Sequence, residues 1–253
     1  MNHKTNRILH ADGKILIVAM DHTNFLDNPV PGLVDYEGTV RASVAAGADG
    51  FLSPVGSAAR YQDAYGRAAI ITSVDTADPF GELAVDAAIQ AGADAVKAMV
   101  YPFADDDSVN RSAALAARAH AVGLPYLAEP VPGGFSRADM RTPEIIASGA
   151  RVAAETGADL VKTFYTGDPE SMKKVVDYAS RPVIILGGHA KDSLGELFSL
   201  VHDAINKAGV AGVAIGTNIW TNPKPGQVVR GLAAILHEGA SVEQAVTAAE
   251  QWS

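Results

Sequence analysis

The chain has 253 residues, 48% hydrophobic and 6% aromatic, with 24 glycines, no cysteine and a formal net charge of −9. The missing cysteine excludes disulfides and thiolate chemistry, and an acidic balance without a Lys/Arg cluster excludes nucleic acid and acidic membrane surfaces as partners. No stretch of about 18 apolar residues occurs, and the start from Met1 to Gly13 is polar, so a cytoplasmic protein with neither membrane span nor signal peptide is expected.

In chain order, Ile15 to Met20 is a continuous apolar run of the kind buried on both faces of a parallel sheet, and it ends on Asp21 and His22. A long loop, Thr23 to Gly38, leads to a helix over about Thr39 to Ala46, and Gly50 to Leu52 is a short second strand running into Ser53-Pro54-Val55-Gly56. Ala69 to Thr72 is the third strand, followed by a polar loop, Ser73 to Asp78, and a helix from Pro79 to Gln90. The fourth strand, Ala95 to Val100, carries Lys97. Asp105, Asp106 and Asp107 could be taken for a cation site, but they fall in the first turn of a helix at Ser108 to Ala121, where the helix dipole favours carboxylates.

Pro125 to Ala128 is the fifth strand and ends at Glu129; Pro143 then opens a helix reaching about Thr156. Gly157 reads as a left-handed helix end, and Ala158, Leu160 and Val161 as a buried strand that stops on Lys162. The polar loop Thr163 to Asp168 closes on Pro169, the first residue of another helix. Val183 to Leu186 is the seventh strand, stopping at Gly187-Gly188-His189; a helix over about Ser193 to Ala208 precedes the eighth, Val213 to Ile215, which stops at Gly216-Thr217-Asn218.

Eight strands alternating with eight helices predict one domain, a single (β/α)8 TIM barrel over residues 1–253, a usual length for that fold. An echo supports it: Ala46-Gly47-Ala48-Asp49, Ala91-Gly92-Ala93-Asp94, Thr156-Gly157-Ala158-Asp159 and Ala208-Gly209-Val210-Ala211 each close a helix just before a strand. Two of these extend to GADAVK and GADLVK, so Lys97 and Lys162 are expected at the same height of the barrel. The competing open sheet would carry a G-x-G-x-x-G turn after its first strand, which Asp21-His22-Thr23-Asn24 is not.

Barrel chemistry lies at the C-terminal strand ends. Here those ends hold Asp21, His22, Lys97, Tyr101, Glu129, Lys162, Tyr165, His189 and Asn218, with glycines at strands seven and eight where backbone N–H groups often bind phosphate. A lysine ending an apolar strand must pair, snorkel or lose its proton, and the last makes it a nucleophile. Two lysines, a glutamate and an aspartate around such a pocket suggest Schiff-base chemistry. An amine nucleophile needs its pKa lowered from ~10.4 to ~7–8, roughly 4 kcal/mol, which a second ammonium at ~4 Å could supply at an effective dielectric near ~20. Lys97 is therefore expected to activate Lys162, with Glu129 and Asp21 as the available acid and base. Plainer readings stand beside these: Lys97 paired with Glu129 as a structural ion pair, His22 and His189 as loop hydrogen-bonders, Asp75 and Asp78 in a helix cap, and Tyr101 and Tyr165 as rim packing.

The motifs VAMDH at Val18 to His22, GADAVK at Gly92 to Lys97, GADLVKTFYTGD at Gly157 to Asp168, LGGH at Leu186 to His189 and GTNIW at Gly216 to Trp220, with HEG at His237 to Gly239, give the chain a family likeness. It resembles the class I aldolases of the DeoC/LacD and DhnA-type fructose-bisphosphate aldolase group. The resemblance implies a metal-independent aldol reaction with no cofactor, a sugar phosphate substrate releasing dihydroxyacetone phosphate and an aldehyde, and a homo-oligomer. It also implies Lys162 as the Schiff-base lysine, Asp21 as an active-site carboxylate, and His22, Tyr165, Gly187, Gly188, His189, Gly216, Thr217 and Asn218 as the substrate's surroundings. Glu129 and Lys97 match the tagatose-bisphosphate and sulfofructose-phosphate branch, which makes Glu129 the expected proton carrier. Thr217 departs from the Gly-Arg-Asn that many relatives carry, leaving open whether one or two phosphates are bound, with Lys224 or Arg230 as substitutes for the missing cation. Two further readings are acyl transfer to coenzyme A by a thiolase-like barrel, and a sugar-phosphate-binding barrel without catalysis.

Overall fold

Because side chains alternate along a strand, each short apolar run here supplies one set of residues to the barrel interior and one to the surrounding helices. The structure, a computed structural model, describes residues 5, 8–24, 29–74, 81–188 and 190–252. The eight expected strands form: β1 Ile15–Ala19, β2 Gly50–Pro54, β3 Ala69–Ser73, β4 Ala95–Val100, β5 Tyr126–Pro130, β6 Leu160–Thr163, β7 Val183–Leu186 and β8 Gly212–Ile215. They pair in parallel in sequence order, and β8 returns to β1, closing the barrel.

Ile15, Ile17 and Ala19 of β1, Leu52 of β2, Ala69 and Ile71 of β3, and Ala95, Leu127, Leu160, Ile184 and Ala214 of the later strands fill the interior, joined by Ile8 and Leu9 from the segment before β1. The intervening residues, among them Val18, Phe51, Val96, Tyr126, Val161 and Val213, face the helices. Two positions beyond the apolar interior layer, on the same inward face, come Asp21, Ser73, Lys97, Glu129 and Lys162. A polar layer thus lies on an apolar plug.

The helices are α1 Tyr36–Ala45, α2 Val55–Arg60, α3 Gly81–Gln90, α4 Asp106–Val122, α5 Pro143–Glu155, α6 Pro169–Ala179, α7 Leu194–Asn206, α8 Thr217–Trp220, α9 Pro225–Glu238 and α10 Val242–Glu250. α1 starts earlier than its sequence pattern because the Asp35 side chain caps it, accepting from Gly38 N at 2.9 Å. Asp106 and Asp107 occupy the first turn of α4, as expected. Asp168 caps α6 by accepting from Glu170 N and Ser171 N, each at 3.0 Å, so the end of the strand-six motif is a helix start. The polar loop Asp75 to Asp78, and Pro79 with it, lie outside the described residues.

The repeated Gly-Ala-Asp has a structural cause. Asp49, Asp94 and Asp159, each just ahead of an even-numbered strand, accept the backbone N–H of Leu16 (2.6 Å), Ile70 (3.0 Å) and Tyr126 (3.0 Å) at the start of the preceding odd strand. Each glycine before them turns the chain out of a helix, Gly157 at φ 111°, a region that disfavours any Cβ. The repeat therefore fixes the register of odd and even strands, and it puts Lys97 and Lys162, three residues past Asp94 and Asp159, on one level.

Candidate active site

At the C-terminal end of the barrel two carboxylates alternate with two amines. Lys97 Nζ lies 3.3 Å from Asp21 Oδ2 and 3.0 Å from Glu129 Oε2, and Lys162 Nζ lies 2.9 Å from Glu129 Oε1. Glu129 thus stands between the two lysines. The two lysines share this carboxylate, and the ion pair of Lys97 with Glu129 is present. Ser73, which the sequence assigns to a loop, ends β3: its hydroxyl donates to Asp21 Oδ2 at 2.8 Å and accepts from Lys97 Nζ at 3.3 Å. The missed signal is the alternation Ala69, Ile71, Ser73.

Burial decides which amine a substrate can reach. The Lys97 side chain has no exposure, whereas Lys162 keeps 8% of its side-chain surface open. Charges this deep need partners, since each desolvated ion costs several kcal/mol, roughly, when left alone. Burial pushes the Asp21 carboxyl up, but Lys97, Lys162 and the Ser73 hydroxyl outweigh it and hold it down at about 2. Burial likewise opposes ionisation of Glu129, and Lys162 and Lys97 again prevail, keeping it below the ordinary carboxylate value. Both are held as carboxylates at neutral pH.

His22 follows Asp21, with its Nδ1 3.9 Å from Asp21 Oδ1 and its ring edge-on to Trp220 at 5.3 Å. Burial lowers its pKa against the pull of Asp21, so it is an uncharged imidazole near neutral pH. Trp220 donates from Nε1 to Ala19 O at 3.1 Å, locking β1 to the turn after β8. Gly216 is required at that crossing: a Cβ there would come within 2.5 Å of both Ala19 O and His22 Cε1.

Gly187 and Gly188 leave β7 at the mouth, the second with φ 63°. Thr217 opens α8, and Asn218 Oδ1 accepts from Lys191 N at 2.7 Å, tying the loop after β8 to the loop after β7. His189 lies outside the described residues. The Tyr165 ring is partly buried against the outer core, and burial, then Asp203 and Asp168, raise its pKa, which is the rim-packing reading of that residue. Tyr101 likewise packs edge-on to Phe135 at 6.1 Å. Arg230, one candidate to replace a strand-eight arginine, pairs through both its terminal nitrogens with Glu238, at 2.6 and 2.9 Å. A different arginine stands at the mouth. Arg141, from the loop between β5 and α5, stacks 4.5 Å over the ring of Phe164 just past β6, and its Nε is buried with no acceptor among the described residues.

The model of the DeoC/LacD family aldolases matches residues 15–222. The 2-amino-3,7-dideoxy-D-threo-hept-6-ulosonate synthase of Halobacterium salinarum is 34% identical over 258 residues, covering 97% of this chain and 95% of its own. The class 1 fructose-bisphosphate aldolase of Thermoproteus tenax is 29% identical, covering 96% and 97%. A solved Schiff-base-forming fructose-1,6-bisphosphate aldolase superposes with a TM-score of 0.78 at 28% identity over 92% of this chain and 98% of that one. An archaeal fructose-1,6-bisphosphate aldolase with its catalytic lysine bound to a carbinolamine intermediate gives the same figures. A closed parallel barrel with this likeness is a class I aldolase, a lyase. The chain belongs to the DeoC/LacD family of aldolases. Among the three readings of the sequence the match selects the aldolase over acyl transfer and over binding without catalysis.

Proposed function

We propose that this aldolase cleaves and forms a ketose phosphate through an imine on Lys162, with Glu129 as its proton carrier. The observation that carries the reading is the 2.9 Å contact between Lys162 Nζ and Glu129 Oε1 at the one lysine of the pair that keeps exposure. Passing a proton to Glu129 leaves Lys162 as a neutral amine that attacks the C2 carbonyl of the ketose. The carbinolamine loses water to an iminium, a carboxylate takes the C4 hydroxyl proton, the C3–C4 bond breaks, and its electron pair moves into the enamine as the aldehyde departs. Protonation at C3 and hydrolysis return dihydroxyacetone phosphate and the free lysine. Asp21, held ionised, suits the base and the positioning of Lys97; His22 supplies an uncharged hydrogen-bonding group.

The phosphate end of the substrate falls to Gly187, Gly188 and Gly216 on one side of the mouth and to Arg141 on the other. Thr217 offers no charge, so Arg141 is the cation this reading assigns to an anionic substrate. A role in carbohydrate metabolism and assembly as a single-domain homo-oligomer in the cytoplasm belong to the same proposal. No helix among the described residues is long and apolar enough to cross a membrane.

The test is aldol cleavage itself. Purified protein given ketose 1-phosphates should release dihydroxyacetone phosphate, also in the presence of a chelator, and Lys162→Met should not. Failure to cleave or condense any short ketose phosphate would overturn the substrate class.

A further inference from the structure

The end of the barrel opposite the mouth carries a second group of ligating side chains, independent of the aldolase site. His10 and Asp12 stand on a tight turn ahead of β1, closed by Gly13 N donating to His10 O at 2.9 Å and His10 N donating to Lys14 O at 2.8 Å. His237 lies in the last turn of α9, 225 positions beyond Asp12. Asp12 joins them: Oδ1 is 3.2 Å from His10 Nδ1 and Oδ2 is 2.8 Å from His237 Nδ1. The two imidazole rings are 4.4 Å apart, and the three candidate donor atoms all lie within 4.8 Å of one another.

We propose that His10 Nδ1, His237 Nδ1 and the Asp12 carboxylate form a structural site for a divalent transition metal of the zinc class, with water completing the coordination. Two imidazoles and a carboxylate are a donor set that suits zinc or nickel and not magnesium or calcium. Tetrahedral zinc with ligands at ~2.0–2.1 Å sets its donors about 3.3 Å apart, so the 2.8 Å contact of His237 with Asp12 would open on binding while the three donors, within 4.8 Å of one another, close around the ion.

The surroundings have the form such a site requires. His237 turns its other nitrogen, Nε2, to Asp49 Oδ2 at 2.9 Å, and Asp49 is itself held by the Leu16 N–H at 2.6 Å. A carboxylate on the far side of a ligating imidazole fixes its tautomer and strengthens it as a donor. His237 also sits at a helix C-terminus, whose dipole favours a cation. His10 and Asp12 keep 47% and 26% of their side-chain surface open, which gives an ion its way in. The metal would pin the turn before β1 to the last barrel-covering helices. It would not take part in the aldol reaction at the other end.

Tag-free protein stripped with chelator and titrated with zinc chloride by calorimetry near neutral pH tests this directly, with thermal melts alongside. One equivalent should bind, the melting temperature should rise by several degrees, and aldol cleavage should be unchanged. His10→Ala, at an exposed position that leaves the fold intact, should abolish both binding and the shift, as should Asp12→Asn. No binding of zinc or nickel at submillimolar concentration would overturn the proposal and leave His237 as a proton-bearing link between Asp12 and Asp49. Binding that survives in His10→Ala would overturn it too, because the ion would lie elsewhere.

Discussion

The carboxylate of Glu129 serves a different amine with each oxygen. Oε2 meets Lys97, which nothing from solvent can touch, and Oε1 meets Lys162, which a substrate can. On the proposed mechanism Lys97 aims Glu129, and Glu129 handles the proton of Lys162. The two halves of the reading separate kinetically. Glu129→Gln keeps the shape and loses the proton carrier, so kcat should fall by about 10²–10⁴-fold with KM nearly kept. Arg141→Met removes a charge-assisted contact worth about 1.5–3 kcal/mol, so KM for a phosphorylated substrate should rise roughly ten- to a hundredfold with kcat kept. Steady-state cleavage by the two variants checks both; a kcat defect in Arg141→Met or an unaltered Glu129→Gln would contradict the assignment. At this scale the sequence is a good guide to which residues end the strands and a poor one to who touches whom. Alternation along β4, β5 and β6 points Lys97, Glu129 and Lys162 inward, but placing Glu129 between the lysines depends on cross-strand distance in a closed barrel. The Gly133 to Arg141 segment could be read as a loop bearing on the substrate, but Arg141 itself, one arginine in a polar loop, has no period to single it out.

Elements in this chain are timed by small capping devices more than by long apolar faces. The aspartates at 49, 94 and 159 take an N–H from the first or second residue of the strand before them, and Asp35, Thr142, Asp168, Ser193 and Ser241 cap helices with their side chains. Asp159→Ala leaves the N–H of the buried Tyr126 without its acceptor, which should cost about 1–2 kcal/mol. Asp159→Asn, still an acceptor, should recover most of it. Urea unfolding checks this: the midpoint should fall in the alanine variant with an unchanged slope, and equal midpoints would show that the repeat is not a register device. The echo of Gly-Ala-Asp was legible as a repeat, and its meaning was not, because a side chain bonding to a neighbouring strand leaves no local periodicity. α2 and α8 were illegible for a related reason. Their four to six residues follow Pro54 and Gly216, too few to build an apolar stripe.

The whole molecule is a barrel whose apolar plug carries a charged lid, and its acid response should show that. Asp21 has a folded pKa of about 2 against an ordinary 3.8, so the stability it contributes is fully present above the unfolded value and is lost as the pH falls through the folded one. The difference is roughly 2 kcal/mol. Unfolding measured near pH ~5 and again near pH ~2 should find the gap between wild type and Asp21→Asn narrowing by about that amount; a constant gap would mean that Asp21 is not held ionised by Lys97. Everything else in the account rests on Lys162 forming a covalent imine, and intact-mass spectrometry after borohydride reduction with dihydroxyacetone phosphate reads that bond directly. The predicted result is a single adduct on the wild-type chain that is missing from Lys162→Ala. A wild-type chain that stays unmodified with every short ketose phosphate, or an adduct that persists in Lys162→Ala, would contradict it.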